Sequence, residues 1–167
     1  SGAQAVARHD HASISLVAET DNPVHHVVPD IIIGIEETEM DLFAGTGSVG
    51  IEALSRGAAG VWFVDNDRQA ISTLNVNLAS TRLDGRAEVV QGDAFSLLGG
   101  KARRKFDYVY IAPPQYHELW ARAVGMLDSH AAWLNPDAWV IVQVHPKEYH
   151  ELPLSRLQVV DQRKYGS

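Results

Sequence analysis

The chain contains no cysteine. That absence removes a disulfide framework, a thiolate zinc site and a cysteine nucleophile together. Long apolar runs are missing as well: none approaches the roughly 18 continuous apolar residues that a membrane span needs. No basic-then-apolar leader precedes a small-residue cleavage site. The expectation is therefore a soluble, cytoplasmic chain with no membrane partner. Positive charge is scarce, with 14 lysines and arginines against 21 aspartates and glutamates, a net charge of -7. Gripping phosphate draws on lysine and arginine, so any nucleic-acid contact has to come from a local patch. The candidates are Lys101, Arg103, Arg104 and Lys105 in one run, Arg82 and Arg86 in another, and Arg163 with Lys164. The plain reading of each is a solvated turn.

What is present is a core. A length of 167 residues with 46% hydrophobic content suits one domain, because such a chain buries most of its surface around one interior. From Met40 onward, short apolar runs alternate with helical patterns, the order that builds a parallel sheet covered by helices. Strands are expected at Met40 to Phe43, Val61 to Val64, Ala87 to Val90, Phe106 to Ile111, Trp139 to Val144 and Leu157 to Val160. Helices are expected from Val49 to Arg56, after an Asp67 cap through Leu78, and from about His117 to Leu127. Pro113-Pro114 ends the strand at Ile111, because proline cannot donate to a sheet ladder. This is an α/β, mostly parallel, doubly wound Rossmann-like sheet with helices on both faces. Such a sheet would continue into one more strand, so the expectation is that the last strand is missing. Residues 1–38 read as an N-terminal arm and 39–167 as the domain. In the arm, Ile31-Ile32-Ile33 is expected to dock on the core, and Pro23 and Pro29 break regular structure.

Gly45-x-Gly47-x-x-Gly50 follows a strand and opens a helix, so backbone amides can face a ligand unobstructed while the helix packs close to the sheet. Asp65, about 20 residues on, ends the next strand, where a carboxylate can accept hydrogen bonds from ribose hydroxyls. These features alone allow a nicotinamide dehydrogenase equally well. Asp41 before the glycines separates the two, since it would repel a pyrophosphate but suits the sulfonium and ammonium of S-adenosylmethionine. Ala112-Pro113-Pro114-Gln115-Tyr116 stands where amino-methyltransferases place an Asp/Asn-Pro-Pro-aromatic tetrad.

The stretches DLFAGTGSVGIEALSRGA from Asp41, VWFVDND from Val61, VVQGDAF from Val89, FDYVYIAPPQY from Phe106 and WVIVQVHPKEY from Trp139 carry a further resemblance. Over residues 39–167 the chain resembles the bacterial methyltransferases that modify the N2 amino group of a guanine in small-subunit ribosomal RNA. The resemblance implies the class I methyltransferase fold, with S-adenosylmethionine as donor, S-adenosylhomocysteine as product and no metal. It implies a monomer whose partner is small-subunit ribosomal RNA or the assembling small subunit. Asp41, Phe43, Gly45 and Gly47 would line the methionine part of the cofactor, with Ala44, Thr46 and Val49 in the same turn. Asp65 would hold the ribose and Asn66 would lie beside the adenine. Asp93 and the backbone of Ala94, following Gly92, would meet the adenine amino edge. On the residues alone, Asp93 also fits a helix cap and Asp65 a strand-end turn.

In the family motif, an Asp or Asn side chain and the first proline's carbonyl accept hydrogen bonds from the amine, and the aromatic residue stacks on the extruded base. The catalytic set carried over is Ala112, Pro113, Pro114, Gln115 and Tyr116. Two positions depart from it: Ala112 stands where the side-chain acceptor belongs, and Gln115 where the aromatic belongs. The Ala112 and Pro113 carbonyls remain, Gln115 can hydrogen-bond a base edge, and Tyr116 supplies a ring one step later. The family's basic segment in the arm is replaced by Asp21 to Asp30. Two other readings follow from these departures, a methyltransferase acting on DNA, a small molecule or protein, and a non-catalytic S-adenosylmethionine or RNA module; the glycine turn with Asp65 keeps the dehydrogenase as a last alternative.

The arm histidines His9, His11, His25 and His26, with Asp10 and Asp30, match no metal-ligand spacing and read as surface residues. His117 and His145 follow strands at the end where such folds bind ligands. Trp62, Trp133 and Trp139 read as core. Trp120 lies one helical turn beyond Tyr116, so both rings are expected to face one cleft.

Overall fold

The computed structural model describes residues 12–18, 37–115 and 117–164. Its strands are β1 (Ala12–Ala18), β2 (Thr38–Asp41), β3 (Gly60–Asp65), β4 (Ala87–Gln91), β5 (Phe106–Ile111), β6 (Leu134–Gln143) and β7 (Gln158–Lys164). Its helices are α1 (Ser48–Ser55), α2 (Arg68–Thr81), α3 (Ala94–Gly99) and α4 (Leu119–Ser129). Runs such as Val61-Trp62-Phe63-Val64 are buried along their whole length, so the sheet needs cover on both faces. Helices α1 and α2 supply it on one side, over Leu54, Phe63, Leu74 and Leu78. Helices α3 and α4 supply it on the other, over Met40, Leu98, Val109 and Leu127. Each of these buried side chains contributes roughly 1.5–3 kcal/mol relative to exposure.

The strand order is β4-β3-β2-β5-β6-β1-β7, and each pairing is parallel. From β2 the chain winds outward through β3 and β4; from β5 it winds the other way to β6. The loops leaving β2 and β5 therefore separate, opening a crevice at the carboxyl ends of these two neighbours. At the opposite end, Asp107 accepts from the Thr38 amide at 3.0 Å and from Asn135 Nδ2 at 2.9 Å. That carboxylate ties the starts of β2 and β6 to β5.

Several expected boundaries move for identifiable reasons. The strand at Phe106–Ile111 and the Asp67 cap stand as expected, the cap accepting from the Gln69 amide at 2.9 Å. Helix α4 begins at Leu119 rather than His117, because His117 and Glu118 have positive φ of 87° and 57°. Strand β6 begins at Leu134, five residues before Trp139. Its pairing with β5 skips from Phe106↔Leu134 to Tyr108↔Trp139, a bulge that accommodates Pro136 and Asp137 at φ 62°.

The arm contains an unforeseen strand. Ala12–Ala18 lies inside the sheet between β6 and β7, with Ser13 opposite Gln158. The alternation of Ser13 and Ser15 with Ile14 and Leu16 is a strand signal, overshadowed by the arm's histidines and prolines. The expected docking of Ile31-Ile32-Ile33 lies outside the described residues. So do Pro23, Pro29, His9, His11, His25, His26, Asp10, Asp30 and Tyr116. No helix among the described residues is long and apolar enough to cross a membrane.

Candidate active site

The turn after β2 is held by backbone bonds on both sides. Leu42 donates to the Tyr110 carbonyl, Ala44 to that of Val64 and Gly47 to that of Ala44, at 2.9–3.0 Å. Gly45 and Gly47 occupy the left-handed region, with φ of 56° and 87°. A β-carbon on Gly45 would meet nothing within 4 Å, whereas one on Gly50 would lie 2.3 Å from the Phe63 ring. Gly45 thus keeps the turn open toward the crevice, and Gly50 lets α1 press onto β3. Asp65 at the end of β3 accepts from the Gly45 amide at 2.8 Å with Oδ2 and from the Asp67 amide at 2.9 Å with Oδ1. It pins the turn, and each oxygen keeps a further lone pair.

Asp41 lies beneath this turn, 2% exposed. The amides of Phe43 and Gly50 bond its carboxylate, yet Oδ1 has no hydrogen-bond partner. Its pKa is pushed up to about 7, first by burial and then by the negative charge of Asp65, against the pull of those two amides. Glu39, two residues earlier on the same face, is also buried, and burial and then Asp41 raise it well above the carboxylate range. Two acids this deep cost stability when ionised unless a cation answers them.

Three cavities meet at the crevice. One of about 440 Å³ is lined by Phe43, Gly45, Asp65 and Asn66 from the first two turns, by Gly92, Asp93 and Ala94 after β4, and by Pro113 and Pro114. Its volume is in the range of small-ligand sites. Asp93 caps α3, accepting from the Phe95 amide at 3.2 Å and from Ser96 Oγ at 3.1 Å, so the cap and a place in the wall coexist. A second cavity of about 230 Å³ holds Asp41, Ala44, Thr46 and Val49 with Tyr110, Ala112 and Gln143. A third, of about 140 Å³, lies on the other side of Pro113 and Pro114, and is lined by Gln115, Trp120, Gln143, His145 and Glu148.

The structure therefore gathers most of the predicted residues around one opening. Ala112 borders all three cavities. Gly47 stands behind them as the α1 cap, where a β-carbon would lie 2.2 Å from Leu74. Trp120 reaches the third cavity as expected, while the ring of Tyr116 lies outside the described residues. Trp120 is 2% exposed, stacks on Tyr149 at 5.9 Å, and has no partner for Nε1. His145 lines the same cavity; His117 lines none of the three.

Two of the three basic groups belong elsewhere, whereas Arg163 and Lys164 end β7, an outer strand of the sheet. Lys101, Arg103, Arg104 and Lys105 precede β5, so they lie at the far end of a six-residue strand, about 17–20 Å from its carboxyl end. Arg103 sits over Trp62 at 5.5 Å and Arg104 over Phe106 at 5.9 Å. Arg86 donates to the carbonyls of Ala58 and Leu54 and closes the end of α1. Arg82 is the left-handed C-cap of α2. Among the described residues, no cluster of three or more His, Asp or Glu is placed to hold a metal ion.

Sequence reasoning missed Gln143, Tyr110 and Glu148. The Tyr110 hydroxyl donates to Gln143 Oε1 in the interior. No motif marks that pair, but the parallel register does: Ile111 faces Val142, which puts Gln143 beside Ala112.

The conserved hypothetical protein 95 family matches residues 24–167. A Bacillus subtilis protein described as a candidate rRNA methyltransferase is 38% identical over 131 residues, covering 76% of this chain and 70% of that one. The small-subunit ribosomal RNA methyltransferase D of Escherichia coli is 36% identical over 104 residues, 62% of this chain. This chain spans 51% of that relative's length. A solved Escherichia coli structure described as a candidate methyltransferase superposes with a TM-score of 0.63 at 27% identity, covering 76% of this chain and 77% of that one.

Proposed function

We propose, from the premise that the chain belongs to the conserved hypothetical protein 95 family, that it is an S-adenosylmethionine-dependent ribosomal RNA methyltransferase acting on the N2 amine of a small-subunit guanine. The observation that carries the cofactor is Asp41. A buried carboxylate with a free oxygen, in the wall of a cavity under a glycine turn, attracts a cation and repels a pyrophosphate. The charge of Asp41 favours the methyl donor over a nicotinamide cofactor.

The residues present fit the donor along its length. Asp41 and the second cavity would take the ammonium end, Asp65 the ribose hydroxyls, and Asn66, Asp93 and the Ala94 amide the adenine. When bound, the donor supplies a methyl on a sulfonium: a carbon–nitrogen bond forms as the carbon–sulfur bond breaks, its electron pair stays on sulfur, and the amine sheds a proton. The chain's own task is orientation. The guanine amine is a weak nucleophile because its lone pair is delocalised, so the Pro113 carbonyl would accept from one of its N–H groups while Pro113 and Pro114 shape the passage between cavities. The same opening would have to pass the product, S-adenosylhomocysteine. We read the protein as a cytoplasmic monomer working on the assembling small subunit.

Incubation with labelled S-adenosylmethionine and undermethylated small subunits should label one guanine. Tight cofactor binding without transfer to any RNA would reject the reading. Ala112 and Gln115 favour a second reading, a transferase for another amine or a binding module. Label in DNA, protein or small molecules but not RNA would select the former. Activity in the unaltered chain excludes the latter.

A further inference from the structure

Position 112 lacks a side-chain acceptor, yet the wall around it is not apolar. Asp41 on β2 pairs with Tyr110 on β5, and continuation of the β5–β6 register sets Ala112 beside Gln143. Side chains two apart on a strand share a face, so Asp41, Tyr110, Ala112 and Gln143 form one row across three strands. All four line the second cavity, under α1. Gln143 and Ala112 also line the third, where the base would enter. Gln143 is 8% exposed, whereas Gln115 is exposed and solvated. The Tyr110 hydroxyl donates to Gln143 Oε1, which fixes the amide and uses one of its two lone pairs.

We propose that Gln143 supplies, from the adjacent strand, the hydrogen-bond acceptor for the incoming amine that Ala112 cannot, with Tyr110 as the positioning residue that holds the amide in place. This rests on the transferase reading above. The small methyl of Ala112 is what lets the longer side chain reach the junction of the two cavities. An amide oxygen is not a base at neutral pH, so Gln143 orients the N–H without keeping the proton, which passes to water after the methyl arrives.

The test combines single-turnover transfer to undermethylated small subunits with calorimetry of S-adenosylhomocysteine. Gln143→Met keeps volume but removes the acceptor. It should slow transfer about thirtyfold or more, with affinity for S-adenosylhomocysteine within about threefold and a melting temperature lowered by the loss of the Tyr110 hydroxyl's acceptor. Tyr110→Phe should slow transfer about five- to tenfold and stays informative if the first variant folds poorly. Adding Ala112→Asp to Gln143→Met should recover at least about tenfold, a rescue that a packing role would not give. Transfer by Gln143→Met within threefold of the unaltered chain, an equal loss of S-adenosylhomocysteine affinity, or no rescue overturns the proposal and leaves the transferase reading standing. No transfer by the unaltered chain overturns both.

Discussion

Asp41 and Asp128 are buried to a similar degree, 2% and 7% exposed, and their pKa values move in opposite directions. Burial works to raise both. At Asp128 it is overcome by the amides of Ser155, Leu157 and Arg156, which bond the carboxylate at 2.7–2.8 Å, and by the positive charge of Arg156, which together lower its pKa. At Asp41 two amides are not enough, one oxygen is left without a partner, and Asp65 adds repulsion. One aspartate completes a structure, fastening the turn before β7 to α4. The other leaves a structure incomplete, and incompleteness of that kind at a crevice marks a place for a ligand.

The contrast can be broken first at Asp128. Asp128→Ala strips three amides, that of Leu157 buried, of their acceptor and should cost about 3 kcal/mol, read as a lower denaturant midpoint with cofactor affinity unchanged in the folded fraction. Asp41→Asn should do the reverse. At pH 8 the ligand-free chain should melt higher, because an uncompensated charge is gone, while S-adenosylmethionine affinity by calorimetry falls about a hundredfold, roughly 2.7 kcal/mol. An Asp41→Asn chain that is less stable and binds equally well would erase the distinction.

Titration gives the finest test. The raised pKa of Asp41 means that its contribution to stability is complete below the unfolded value near 3.8 and is lost as pH rises through about 7. Asp128, lowered, contributes above 3.8 and loses its contribution as pH falls through its folded value. A cationic ligand needs the ionised form of Asp41. Affinity should therefore drop about tenfold from pH 8 to pH 6 in the unaltered chain and stay flat in Asp41→Asn, both followed by calorimetry.

How much of this was legible in the sequence depended on the range of the interaction. Local patterns located the strands at Phe63 and Val109, the glycine turn and the Asp67 cap, because each is set by neighbours a few residues away. Asp65, Asp93 and the Pro-Pro turn were legible through their positions at strand ends. Gln143 was not, since its meaning comes from standing beside Ala112 across a parallel pair. Asp128 was hidden for the same reason, as its partners at Ser155 to Leu157 lie on another segment. Strand β1 had a local signal but no local partner: it pairs with β7, from the other end of the chain. The cations were counted correctly but could not be placed, and Arg86 proved to be fastening α1.

The placement of the run Lys101 to Lys105 at the amino end of β5 has a consequence for how RNA would be held. Phosphates brought to the crevice would meet Asp65 and Asp93 there, while this run remained at the other edge. This run would then release few counterions at the site itself, so its share of the slope of affinity against salt concentration would be small. Selection of the target would fall to the folded shape of the ribonucleoprotein surface and to stacking of one extruded base, and a short naked RNA carrying the same guanine would make a poor competitor.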